Sequence, residues 1–370
     1  MTEGNATLAR SRIEGLRIGA FRIPTDAPES DGTLEWNSTT LIVVELTTSG
    51  ETGLGYTYAD TGVALLLSDL KSEIEGHYVA ELPALWARMV TRLRNMGRQG
   101  ATSMAVSAID VALWDLKAKQ SELSLSELLG RSREALPVYG SGGFTSYSDA
   151  QLQTQFLAWA ERGITQFKMK VGRDPQRDRH RVSVARATIP DGAELFVDAN
   201  SAYTCHQALE FAHAFANESD VRWLEEPLSP EDFAGLHFLR ERAPAQLEIA
   251  EGEYGYDADY FRRMMEAHAT DVVMADATRC GGITGFLKIA ALCEAFHLPL
   301  SSHCAPSLHI APGCAVGPMR HAEYFHDHAR IEHELFDGAP EPDGGVLRPD
   351  LTRPGLGLVF KWTDAESYAV

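Results

Sequence analysis

Seven residues with chemical potential stand at the polar ends of short apolar runs. Asp198 closes AELFVDAN, Glu225 stands in VRWLEEP and Glu253 ends LEIAEGE. Lys168 and Lys170 share FKMKVG, Asp276 falls in DVVMADAT and His303 ends LPLSSHC. If the three acids converge, each pair repels by roughly 4 kcal/mol at an effective dielectric near 20. Such a cluster persists only when protons or a cation neutralise it. Ligands that are all carboxylate oxygens suit Mg2+ or Mn2+ and argue against zinc. Each acid could instead cap the helix after its strand, which explains any one of them but poorly explains three in register. Within LEEP, Glu226 points to the other side of the strand, so Glu225 is the expected ligand. Within IAEGE, Glu251 and Glu253 share a face, and Glu253 lies further towards the strand's end. Asn200 would orient a ligand, bond the substrate or shape the turn.

The basic residues complement this cluster. Lys168 and Lys170 are two apart on a strand and point to one side. Their mutual repulsion and a nearby cation should let Lys170 lose its proton near neutral pH. Asp276 and His303 end neighbouring runs, so the carboxylate could fix the imidazole tautomer and stabilise its protonated form. Most of the 13 histidines are expected to be structural; His303 differs by its partner and its position. Lys170 and His303 would face a bound substrate from opposite sides, which inversion or a two-step elimination requires. His326 and His328 form an H-x-H pair without a third ligand of matching spacing, and read as a loop or substrate-contact segment. No G-x-S-x-G, P-loop or H-E-x-x-H is present.

These residues need a scaffold that gathers strand ends. From residue 132 short apolar runs alternate with helix-like stretches, and the polar ends at 170, 198, 225, 253, 276, 303 and 323 are 20–28 residues apart. With LPVYGSGG added, and the less clear HAEYF counted as the run ending at 323, eight such units predict an α/β fold, a (β/α)8 TIM-type barrel over 132–349 whose C-terminal strand ends share one pocket. A doubly wound open sheet is the alternative. Residues 1–131 read as an α+β capping domain, strands over 12–58 and then helices. Val106, Ile109, Leu113 and Leu116 mark one helical face there. Residues 350–370 are expected to pack back on the cap. Segments 23–36 and 53–60 read as loops closing over the barrel mouth, with Trp36, Tyr56 and Tyr58 as candidate substrate contacts.

Composition narrows the partners. Among 370 residues, 52 acids oppose 33 bases for a net charge of −19, which disfavours nucleic acid and anionic membranes. The N-terminus MTEGNATLARSR lacks the apolar core of a signal peptide. The five cysteines form no C-x-x-C pair. A cytoplasmic protein with reduced thiols is expected.

Together these motifs resemble the mandelate racemase group of the enolase superfamily. AIDVALWDLKAKQSELSLSELLG is similar to that family's capping helix and its Leu-Leu-Gly ending. KMKVG, VDAN, LEEP, GE, DATRCGGITG and SSH are similar to its barrel motifs. The muconate-lactonizing and dipeptide-epimerase branch carries Lys where this chain has Asp276, so the His-Asp dyad branch is the better match. The resemblance implies one Mg2+ (or Mn2+) per subunit on Asp198, Glu225 and Glu253, with Lys170 and His303 as bases and Glu323 bonding the substrate carboxylate. It implies removal of the proton next to a carboxylate through an enediolate, since enolase-superfamily sites are a known case of a Lys or His base working with Mg2+. Lys168 and Glu323 would assist where charge develops. Dehydration of an acid sugar to a 2-keto-3-deoxy acid is the first expectation, and racemisation or epimerisation of a 2-hydroxy acid the second. A non-catalytic metal-binding homologue is the third. The partner is a small hydroxy-carboxylate or acid sugar, and a homo-oligomer (dimer or octamer) is expected.

Overall fold

The computed structural model describes residues 11–370; most of the segment that lacks a signal-peptide core (1–12) lies outside the described residues. Three antiparallel strands come first: β1 (Gly15–Ser30), β2 (Glu35–Thr47) and β3 (Thr52–Tyr58). β2 is apolar on both faces because both are covered. Leu41 and Val43 join the core shared with the barrel, whereas Ile42, Val44 and Leu46 join the core beneath the cap helices. The long helix Ala101–Gln120 is buried nearly all round, Val106, Ile109, Leu113 and Leu116 included. It lies flush on β3 because Gly55 has no side chain: a Cβ there would stand 2.1 Å from the Ala108 carbonyl oxygen.

The two segments expected as loops, 23–36 and 53–60, are largely strand. β1 continues to Ser30 and β2 begins at Glu35, so the first of these segments is the end of a hairpin. The second is mostly strand β3.

Eight parallel strands follow: β4 (Leu136–Gly142), β5 (Gln166–Lys170), β6 (Glu194–Asp198), β7 (Val221–Glu225), β8 (Glu248–Glu251), β9 (Val272–Ala275), β10 (Leu300–Ser302) and β11 (Met319–Phe325). Each pairs with the next, and β11 pairs back to β4, closing the barrel and removing the open-sheet alternative. Ser-x-x-Gln and Thr-x-x-Gln capping boxes start the helices after β4 and β6, fixing where the chain turns back. Tyr139, Phe196, Trp223, Ala250, Val272 and Met274 fill the barrel interior as a floor.

The tail returns to the cap. Phe360 lies in a short strand paired with Phe336–Asp337, and Trp362 meets Phe21 edge-on. Ala369 bridges to Phe21, and the Val370 N–H donates to the Ala20 carbonyl at 3.0 Å. All five cysteines are free. No described helix is long and apolar enough to cross a membrane.

Candidate active site

Strand register gathers the predicted residues. Lys170, Asp198 and Glu225 are the last residues of β5, β6 and β7 and stand opposite one another in the sheet. Glu253, Asp276 and His303 lie just beyond the ends of β8, β9 and β10, and Glu323 lies within β11. All seven, with Lys168, are buried. Asp198, Glu225 and Glu253 each offer an oxygen, and these atoms lie within 4.8 Å of one another.

Lys168 anchors the centre of the pocket. Its ammonium pairs with Glu225, with Glu323 at 2.7 Å and with Asp198 at 3.5 Å. Lys170 donates to Asp198. Burial opposes the charge of both lysines, but Glu225 and Glu323 beside Lys168, and Asp198 beside Lys170, outweigh it and raise both pKa values. The nearest charge to Lys170 is the Asp198 carboxylate, one of the three acids gathered here as candidate metal ligands. A divalent ion held by Asp198, Glu225 and Glu253 would weaken that support.

Two acids not expected as ligands, Glu226 by strand alternation and Glu251 by its position behind Glu253, belong to the neighbourhood. Glu226 leaves β7 with φ +38°, so the alternation that would point it away has already ended. Burial, then Glu253 and Glu251, raise its pKa; burial and Glu253 do the same for Glu251. Glu226 Oε1, Glu251 Oε2 and Glu253 Oε2 are buried without a hydrogen-bond partner. Asn200 shapes this region through its backbone. Its N–H donates to Asp198 Oδ1 at 3.0 Å, and its Nδ2 reaches Glu226 at 3.5 Å. From the floor, the Trp223 indole N–H donates to Glu225 Oε2 at 2.8 Å.

The Asp276–His303 pair forms as expected, with Nδ1 donating to Oδ2 at 2.8 Å. Burial disfavours the Asp276 carboxylate, yet the His303 bond and charge hold its pKa well below the usual range. His303 Nε2 then faces Glu253 at 3.5 Å and Glu323 at 4.0 Å. Glu323 is committed: Oε1 accepts from Ser141 at 2.6 Å and from Lys168, and Oε2 accepts from the Cys304 N–H at 2.7 Å. His309 gave no sequence signal. Its Nε2 accepts from the Ala277 N–H at 2.9 Å, so Nδ1 donates to the Cys304 or Ala305 carbonyl at 3.0 Å. It thereby ties the loop carrying Asp276 to the loop carrying His303.

The cap hairpin rests on the mouth. Gly32 lies so close that a Cβ there would stand 2.4 Å from the Ala199 carbonyl oxygen. The Thr145 N–H donates to the Ser30 carbonyl at 2.8 Å. Trp36 reaches the mouth, edge-on to Phe144 at 5.7 Å, and its N–H donates to Glu29. Tyr56 does not: it is fully buried, and its hydroxyl donates to Glu332 at 2.9 Å. The run around it is an internal strand, so its tyrosine packs instead of touching substrate. The H-x-H histidines diverge. His326 pairs with Asp26 at 2.9 Å across the cap–barrel seam, whereas His328 stacks on Tyr58.

Residues 24–130 match the mandelate racemase / muconate lactonizing enzyme N-terminal domain, and residues 151–365 match the enolase C-terminal domain-like family. The chain therefore belongs to the mandelate racemase / muconate lactonizing enzyme family of the enolase superfamily. It is 34% identical over 94% of its length to a 3,6-anhydro-alpha-L-galactonate cycloisomerase from Streptomyces coelicolor, covering 97% of that protein. A mandelate racemase/muconate lactonizing enzyme-like protein from Rubrobacter xylanophilus is 50% identical, with a TM-score of 0.95 over 97% of this chain and all of that one. The L-talarate dehydratase from Polaromonas sp. JS666, complexed with Mg and L-glucarate, is 31% identical, with a TM-score of 0.88 over 97% of this chain and 98% of that one.

Proposed function

We propose that this chain is a Mg2+-dependent hydro-lyase that removes the proton next to the carboxylate of an acid sugar and expels the β-hydroxyl, giving a 2-keto-3-deoxy acid. The observation that carries this reading is the convergence of Asp198, Glu225 and Glu253 between Lys170 and the His303–Asp276 pair. The donor set fits a hard divalent ion: all oxygen, buried, and beside orphaned carboxylate oxygens that no proton donor satisfies. Bound there, Mg2+ would supply Lewis-acid stabilisation for charge developing on the substrate carboxylate.

The remaining roles follow from the side chains. Lys168, fixed by Glu225 and Glu323, presents a positive charge at the pocket's centre, where negative charge accumulates. Asp198, Glu225 and Glu253 would hold the ion, and Lys170, as the neutral amine, takes the α-proton. His303, protonated and stabilised by Asp276, gives its Nε2 proton to the departing hydroxyl. Bases on two flanks would also serve racemisation or epimerisation, and this is the second reading.

The test is proton NMR in deuterium oxide with Mg2+ and a set of sugar acids. α-Proton exchange together with loss of the β-hydroxyl supports the dehydratase. Exchange with the β-hydroxyl retained and the configuration inverted moves the assignment to a racemase or epimerase. Full activity after chelation refutes the metal's part in either.

A further inference from the structure

His328 is a neutral hydrogen-bond donor that the steps above do not use. Its ring stacks on Tyr58, with centroids 3.4 Å apart and planes 12° apart, and meets Phe325 edge-on. The Ala305 N–H donates to Nδ1 at 3.3 Å, so the hydrogen of this imidazole resides on Nε2. Ala305 is two residues beyond His303, and both Cys304 (φ +51°) and Ala305 (φ +40°) adopt the left-handed conformation, unusual for residues with a Cβ. The strained turn thus carries the peptide N–H that fixes His328 next to His303. Burial, then the His303 charge, hold the His328 pKa down at about 3, so the ring stays neutral. Among the described residues Nε2 has no hydrogen-bond partner, and the residue keeps 7% exposure.

The charges around the mouth point the same way. Lys168 and Lys170 are committed to the acidic cluster, and Arg279 lies 3.6 Å from both Glu253 and Asp276. Arg173 pairs with Glu35 at 2.8 Å and Arg330 with Asp327 at 2.5 Å. The hairpin over the mouth brings the acids Asp26 and Asp31, whereas burial raises the Glu29 carboxyl to about 9 and leaves it neutral. A second carboxylate at the far end of a substrate would meet acids and find each of these cations already paired.

We propose that the far end of the substrate is hydroxylated and uncharged, held by the Nε2–H of His328, so that the site takes monocarboxylate sugar acids in preference to dicarboxylates. This rests on the reading that the site binds an acid sugar. The experiment measures α-proton exchange by the full chain with Mg2+ on five- and six-carbon aldonates, the matching aldarates and glycerate, whose chain ends at the β-carbon. Aldonates should exceed aldarates in kcat/KM by on the order of a hundredfold. His328→Asn, whose Oδ1 can still accept from the Ala305 N–H while the Nε2 donor is lost, should lower kcat/KM for the preferred aldonate about tenfold more than for glycerate. Equal rates on aldonates and aldarates would overturn the inference while the proposed function stands, and this comparison does not depend on the variant folding. An equal loss on aldonate and glycerate, in a variant that melts like the parent, would refute the role of His328. Exchange on no sugar acid at all would remove the proposed function, and the inference with it.

Discussion

Replacing Gly32 by alanine tests whether the seat of the cap hairpin governs the barrel's chemistry. A Cβ at this position would lie 2.4 Å from the Ala199 carbonyl oxygen, 2.8 Å from the Val171 carbonyl oxygen and 2.8 Å from the Ala202 Cβ. Carbon–oxygen contacts settle near about 3.3 Å or beyond, so the tip must lift by on the order of 0.5–1 Å. Two of the three obstacles are backbone atoms adjoining Lys170 and Asp198 and cannot swing aside. Lifting also pulls on the Ser30–Thr145 contacts, at 2.6 and 2.8 Å, that clamp the hairpin to the mouth. Crowding of this kind costs about 1–3 kcal/mol of stability, and a displacement near 1 Å costs roughly a hundredfold in rate where positioning governs catalysis. The expected result is a kcat/KM reduced by about two orders of magnitude with Mg2+ affinity unchanged, read by product formation and by calorimetric titration. An unchanged kcat/KM would refute the reasoning. A parallel fall in Mg2+ affinity would show that the barrel loops moved instead of the hairpin.

Lys170→Ala and His303→Asn should each lower turnover by about 10²–10⁴-fold, with circular dichroism unaltered and Mg2+ still bound by calorimetry; full activity in both would remove these residues as bases. Trp223→Phe deletes the N–H that orients Glu225 and should weaken Mg2+ binding by about 10–100-fold in the same titration. Glu332 is buried, and burial pushes its carboxyl up to about 7. The folded chain therefore keeps a proton that the unfolded chain releases above about 4.3, and this group's contribution to stability falls by about 3 kcal/mol as pH rises from about 4.5 to 7. Glu332→Gln should flatten the decline in melting temperature over that window; an identical pH profile in parent and variant would contradict the assignment.

The barrel is legible in the sequence because its signal repeats: an apolar run, a polar end and a helix, spaced as a strand, helix and two loops require. Asp198, Glu225 and Lys170 can be placed because strand alternation holds to the last paired residue. It fails one residue later, which is why alternation assigns Glu226 to the wrong side; a left-handed φ at a non-glycine residue leaves no mark in LEEP. Tyr56 misleads because a Gly-rich, Tyr-rich run reads equally as a loop or as a strand that needs glycine for helix contact. Only the packing of Gly55 on Ala108 distinguishes the two. His309 is invisible because its value lies in a cross-loop bond that no local pattern encodes.

The return of the tail to β1 has a consequence for biosynthesis. Among the described residues, the outer edge of β1 at Ala20 and Phe21 acquires its backbone partner from Ala369 and Val370. At typical elongation speeds, on the order of tens of seconds separate emergence of that edge from release of the residues that cover it. Throughout this interval the nascent cap exposes unpaired backbone donors and acceptors, the kind of template on which other chains assemble. A product lacking Ala369 and Val370 would carry that exposure permanently, even with the barrel complete.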